Sequence, residues 1–215
     1  MGDVAMIAPV IYGFVKKYPD FKISVLSKPF FKPLVEAIPG VTFIPAEVDT
    51  IHKGISGLWK LSRSLKELEI THIADLHNVL RSKVLLKFLS APAVQIDKGR
   101  TEKKALVSGD PHHFIQLKTT IDRYVAVFEK LGFTIEKPLA LPKPKRVEKV
   151  VKYTKSYKRK WLGIAPFAAH LGKQYPLNYM KEVIRKLDES GEWDIFLFGA
   201  PHEVDILKDL SFNCV

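Results

Sequence analysis

Residues 71–96 read THIADLHNVLRSKVLLKFLSAPAVQI, and this stretch decides the fold. Residues 71–76 (THIADL) have the short apolar run of a buried strand, 82–89 carry a helical pattern, and 93–96 (AVQI) are a second strand. Strands separated by a helix of this size form a βα unit, and βα units imply a mostly parallel sheet.

The same alternation extends upstream. Residues 55–68 are helical, with Ile55, Leu58, Leu61, Leu65 and Leu68 close to one face. Before them come a strand at 41–44, a helix at 30–38 stopped by Pro39-Gly40, and a strand at 22–27 (KISVLS). An amphipathic helix at 4–18 ends before Pro19. A βα unit would set a strand ahead of that helix, so the front edge reads as cut.

Downstream, 115–131 reads as a long helix closed by Gly132. Residues 138–146 (PLALPKPKR) hold three prolines and little periodicity, the signature of a linker. Two domains are therefore expected, 1–140 and 149–215, joined by 141–148. In the second, a strand at 161–166 (WLGIAP), a helix at 177–188, a strand at 194–198 (DIFLF) and a helix at 202–210 resume the pattern. These are too few βα units for a comfortable domain, and the second domain reads as incomplete.

Composition sets the outer bounds. The 215 residues are 47% hydrophobic and 27% charged, which excludes disorder, collagen and coiled coil. The single cysteine, Cys214, rules out a disulfide framework or a cysteine zinc site within the chain. No apolar run approaches the roughly 20 residues of a membrane-spanning helix, and Met1-Gly2-Asp3 lacks the layout of a signal peptide. A cytoplasmic protein is expected. The net charge of +11, from 34 Lys+Arg against 23 Asp+Glu, suits an anionic partner without choosing among nucleic acid, lipid head groups and phosphorylated small molecules.

Candidate chemistry gathers where strands give way to helices, the place at which open α/β sheets bind ligands. Asp3 stands at the start of the first helix, where a carboxylate serves as an N-cap or as a general base. Asp75, His77 and Asn78, with Arg81, follow the strand at 71–76 and either cap the next helix or line the same crevice. Lys173 lies in 166–176 (PFAAHLGKQYP), a strand-to-helix loop that could seat a diphosphate, although a solvated surface lysine fits the position equally. Gly199-Ala200 holds the corresponding place after the strand at 194–198.

The seven histidines (His52, His72, His77, His112, His113, His170 and His202) make no ligand pair, so no metal site is expected. No G-x-S-x-G, P-loop or G-x-G-x-x-G occurs, which argues against an α/β-hydrolase, a P-loop NTPase and a standard dinucleotide fold.

An ordered set of segments resembles a known family. The segments are Met1-Gly2-Asp3-Val4 with Pro9, then 75–82 (DLHNVLRS), 124–132 (YVAVFEKLG), 164–169 (IAPFAA), 173–176 (KQYP), and Phe198-Gly199-Ala200 with Glu203. In order and spacing the chain is similar to the ADP-heptose:lipopolysaccharide heptosyltransferases of glycosyltransferase family 9. The resemblance implies a GT-B-like α/β fold of two Rossmann-like domains, the first binding acceptor and the second binding nucleotide sugar. It implies inverting transfer of heptose from ADP-heptose to the lipopolysaccharide core or a lipid A precursor, without a cofactor, with peripheral contact at the inner membrane.

By this resemblance Asp3 is the catalytic base. Lys173, Ala168, Ala169, Gly199, Ala200 and Glu203 bind the donor, while Gly2, Asp75, Asn78, Arg81, Lys98 and Arg100 bind the acceptor. Lys98 and Arg100, with Lys103 and Lys104, would meet its phosphates or carboxylates.

Three departures stand out. Ala168 and Ala169 occupy places where relatives carry Thr or Ser, Pro201 stands where an acidic residue is usual, and the later Asp-Thr-Gly donor segment does not occur. The alternatives are another donor or acceptor on the same fold, or a non-catalytic binder of anionic ligands. For nucleic acid the aromatic-rich strand motifs that stack bases are missing, and no such partner is expected.

Overall fold

A computed structural model of the chain describes residues 2–109, 112, 114–136, 141 and 159–211. Contacts divide it into two compact units, Met1–Pro142 and Lys143–Val215.

The first unit runs α1 (Gly2–Lys17), β1 (Ile23–Ser27), β2 (Val41–Pro45), α2 (Gly54–Lys66), β3 (Ile73–Asp75), α3 (Leu80–Lys87), β4 (Ala93–Gln95), α4 (Arg100–Leu106) and α5 (Thr120–Lys130). β1 pairs with β2 in parallel, from Ile23 opposite Val41 to Ser27 opposite Pro45. β3 pairs with β4 in parallel, from Ile73 opposite Ala93 to Asp75 opposite Gln95.

Alternation along the strands explains the layering. Val25 packs with Ala8 and Ile11 of α1, whereas its neighbour Leu26 packs with Leu61 and Leu65 of α2. The β1–β2 pair is thus apolar on both faces, the pattern of parallel strands covered by helices on each side. α1 also reaches the second pair: Val10 and Phe14 cluster with Tyr124, Val125 and Val127 of α5, and with Ala74 and Val94 of β3 and β4. Phe14 holds this core together, its ring centroid 4.9–5.8 Å from those of Tyr18, Phe21, Phe128 and Phe133. Burying one such ring contributes about 1.5–3 kcal/mol.

The second unit contains β5 (Lys160–Ile164), α6 (Leu177–Glu189), β6 (Trp193–Leu197) and α7 (Val204–Leu210). β5 and β6 are parallel, from Lys160 opposite Trp193 to Ile164 opposite Leu197. Ile184, Ile195 and Leu210 form its buried centre, with Leu177, Met180 and Leu187 of α6 against them.

Several expectations change. The helix expected at 30–38 is a 3-10 turn, Pro29–Leu34, whose bonds run three residues back, as in Phe31 N–H to Lys28 O at 2.9 Å. Pro29 and Pro33 lack the N–H donors that an α-helical ladder requires. The helix expected from 115 begins at Thr120, because Thr119 and Asp122 cap each other reciprocally at 3.1 and 3.2 Å. Helix α4 was not expected at all. The proline-rich stretch 138–146 lies, Leu141 aside, outside the described residues. Among the described residues, no helix is long and apolar enough to cross a membrane.

Candidate functional site

At the start of α1, Gly2 and Asp3 are exposed. The turn is anchored from below: the Tyr124 hydroxyl donates to the Asp3 carbonyl at 3.4 Å. Tyr124 is 2% exposed, and burial pushes its phenol above the ordinary value, with the Asp3 charge adding to the shift. The Asp3 carboxylate is therefore open to solvent and seated where the helix dipole favours negative charge. A general base needs that accessibility.

The turn after β3 is built on a buried acid. Asp75 is 7% exposed. Its Oδ1 accepts the N–H groups of His77 (3.1 Å) and Asn78 (2.8 Å), and its Oδ2 lies 2.8 Å from both the Ser82 hydroxyl and the Gln95 amide nitrogen. Burial alone would push the carboxyl up. The donors from Asn78, Gln95, Ser82 and His77 outweigh it and hold Asp75 below the usual carboxylate range. Both oxygens are committed to the protein, so Asp75 shapes the turn.

Asn78 sits at the apex of this turn with φ 43°, a left-handed conformation that asparagine tolerates. Its amide nitrogen donates to the Ile96 carbonyl at 2.8 Å, while its buried Oδ1 has no partner among the described residues. Beside it opens a pocket of about 190 Å³ lined by Asn78, Lys83, Ile96, Asp97, Lys98, Arg100 and Thr101. Three cations against one carboxylate make it suited to an anionic group.

Of the residues expected here, Asn78, Lys98 and Arg100 come together. Arg81 does not line the pocket: its charge acts on Asp49 in the loop after β2, whose carboxyl is held low by a 2.6 Å hydrogen bond from Lys28, with Arg81 and Lys53 adding to it. Sequence reasoning missed Lys83 and Thr101. The available signal for Lys83 was its place in the first turn after Asn78; Thr101 lies in the unexpected α4.

The basic loop is held from inside the protein. Arg123 of α5, 6% exposed, donates from Nη1 to the Asp97 carbonyl at 3.3 Å and from Nη2 to Glu102 Oε2 at 2.5 Å. Arg123 and Tyr124 are consecutive, so adjacent residues of one helix anchor the basic loop and the turn that carries Asp3.

In the second unit, the six expected donor residues lie on the two loops that leave the carboxyl ends of β5 and β6. Ala168, Ala169 and Lys173 are exposed on the first, where Lys173 ends a short 3-10 turn, Leu171–Lys173. The Ala168 N–H points to Gln174 Oε1 at 3.4 Å. On the second loop, Glu203 Oε2 accepts the Ala200 N–H at 2.6 Å. Gly199 ties the loops together: a Cβ there would lie 2.8 Å from Leu207 Cδ1 and 3.1 Å from both Glu203 Oε2 and Phe167 Cε2. Among the described residues, no group of three or more His, Cys, Asp or Glu could hold a metal ion.

Comparison with known proteins bears on the family and the fold. The sequence pattern of glycosyltransferase family 9 (heptosyltransferase) matches residues 58–214. A glycosyl transferase family 9 structure from Veillonella parvula DSM 2008 superposes with a TM-score of 0.75 at 18% identity, covering 98% of this chain and 63% of that one. The E. coli ADP-heptose lps heptosyltransferase II superposes with a TM-score of 0.64 at 19% identity, covering 95% and 63%. E. coli heptosyltransferase WaaC, solved with ADP-2-deoxy-2-fluoro heptose, gives 0.64 at 19%, covering 98% and 70%. These likenesses bear out the expected α/β, GT-B-like fold. The chain spans 63% of the length of the first two structures. No curated protein matches it.

Proposed function

The chain belongs to glycosyltransferase family 9, the heptosyltransferases, and we propose that it serves the transfer of heptose from ADP-heptose to the inner core of a lipopolysaccharide. In this reading, the Asp3 carboxylate takes the proton of an acceptor hydroxyl. That oxygen bonds to the anomeric carbon of the donor, the bond from that carbon to the diphosphate oxygen breaks, and ADP leaves with the electron pair. The configuration inverts. Lys173 offsets the charge gathering on the diphosphate, seated between the loops after β5 and β6, with Gly199 and Ala200 allowing close backbone approach.

The acceptor's anionic groups, phosphate or carboxylate, enter the pocket of Asn78, Lys83, Lys98 and Arg100, while Asp75 holds the turn in shape. The work is placed at the cytoplasmic face of the inner membrane, with peripheral contact to the lipid-linked acceptor. The observation that carries this reading is the double anchorage on α5, which ties an exposed carboxylate and a cation-lined pocket to consecutive residues. A second reading, another nucleotide sugar on the same two units, is favoured by the exposed Ala168 and Ala169, which offer a diphosphate no hydroxyl contacts.

The test is ADP release from ADP-heptose with Kdo–lipid A, comparing the protein with Asp3→Ala. Acceptor-dependent release that falls about 10²-fold or more in the variant is expected. Release that persists in Asp3→Ala removes the base assignment. Release with other nucleotide sugars but none with ADP-heptose transfers support to the second reading.

A further inference from the structure

Beneath the basic loop lies a charge that takes no direct part in the proposed chemistry. Arg123 is buried to 6% exposure within an apolar helix face, and its Nε has no partner among the described residues. Residues 97–102, a loop that runs into the first turn of α4, hold its guanidinium through the Asp97 carbonyl and the Glu102 carboxylate. Gly99 lies flat against the same group: a Cβ there would fall 2.2 to 2.6 Å from Nη2, Cζ and Nη1. Gly99 also has φ +59° and donates its N–H to Asp97 Oδ1 at 2.8 Å. A side chain there would have to displace the guanidinium as well as adopt the left-handed backbone that glycine takes freely.

A buried guanidinium carries a desolvation cost that an apolar residue on α5 would not. What the charge holds explains it. The segment so held delivers Lys98, Arg100 and Thr101 to the pocket, and Arg123's planar fork reaches two acceptors in fixed directions, as a lysine could not. We infer that Arg123, with Gly99 and Glu102, is a positioning latch that fixes Lys98 and Arg100 at the pocket beside Asn78 before any ligand arrives. This rests on the reading of that pocket as the seat of the acceptor's anionic group.

The test combines acceptor kinetics with Kdo–lipid A and hydrogen exchange on the protein alone, using Arg123→Lys and the milder Glu102→Gln. Both variants should raise the acceptor KM roughly tenfold, since small misplacements of binding groups are costly, with kcat and donor KM within about twofold. In a Lys98→Ala/Arg100→Ala background, the latch substitutions should add less than about twofold, because they act through those two side chains. The amides of Gly99, bonded to Asp97, and Lys103, bonded to the Gly99 carbonyl, should exchange faster in Glu102→Gln, while those of α1 do not change. A rise in acceptor KM of the same size in both backgrounds, or unchanged exchange at residues 99 and 103, would overturn the latch. Accelerated exchange with a Lys98→Ala/Arg100→Ala protein whose acceptor KM equals the wild type removes the acceptor reading of the pocket and leaves the latch standing.

Discussion

The two candidate regions of the molecule are built on opposite plans. In the first unit, the groups offered to a ligand rest on buried charges: Asp75 under the Asn78 turn, and Arg123 under the loop of Lys98 and Arg100. In the second, Lys173, Ala168 and Ala169 stand on exposed loops. Those loops are held by packing around Gly199 and by two bonds from backbone to side chain, Ala200 N–H to Glu203 Oε2 and Ala168 N–H to Gln174 Oε1. The first plan fixes cations in place before binding. The second leaves a solvated lysine whose charge matters when a diphosphate arrives. Removing a buried support of the first region should therefore damage folding, and removing the exposed lysine of the second should damage chemistry.

The sharpest division is expected at Lys173. Lys173→Ala should lower kcat with ADP-heptose by about 10²-fold, the scale of one lost charge-stabilising donor, while the urea midpoint stays within error. A large loss of stability would break the comparison.

Asp75→Ala should do the reverse. It strands the Ser82 and Gln95 donors and two backbone N–H groups in a buried turn, a loss of about 3 kcal/mol in chemical unfolding. A loss under about 1 kcal/mol would mean that the turn does not depend on its acid.

Gly199→Ala should fall between these. Its methyl group would press on Leu207 and Phe167 and cost about 1–3 kcal/mol, with a raised donor KM and an unchanged acceptor KM. An equal rise in both constants would show that the loop serves more than the donor.

The smallest effect is a pH dependence. Asp75 has a folded value below its ordinary 3.8, so its contribution is complete above that ordinary value and is lost as pH falls from there through the folded value. Urea midpoints between pH 5 and 3 should fall less steeply in Asp75→Asn than in the wild type. Parallel curves would contradict the assignment.

Much of the fold was legible because the strands are short apolar runs between Pro, Gly and charged residues, as at 22–27, 41–44 and 194–198. The errors have local causes. Ile115 and Leu117 continue an apolar pattern that the Thr119–Asp122 cap cuts short, and Phe114 and Ile115 remain exposed. Helix α4, RTEKKAL, offers two apolar residues to a periodicity argument and is set by Gly99 at its start.

In the proposed site, the places of Asp3, Asn78, Lys98 and Lys173 after strands or at a helix start could be read from the sequence. Arg123 could not. Periodicity assigns an arginine in an amphipathic helix to solvent, and only the folded chain shows residues 97–102, at the start of α4, bonded to it. The buried charges that distinguish the first region were thus the part of the site that sequence patterns conceal.

The central claim is that Asp3 and the cation-lined pocket act together in glycosyl transfer. Its most direct test is acceptor-dependent ADP release from ADP-heptose with Kdo–lipid A, measured for the wild type, Asp3→Asn and Lys98→Ala/Arg100→Ala. The account predicts that Asp3→Asn lowers kcat with the acceptor KM retained, and that the paired substitution raises the acceptor KM with kcat retained. Asp3→Asn at wild-type kcat, or a paired variant with an unchanged acceptor KM, would contradict it.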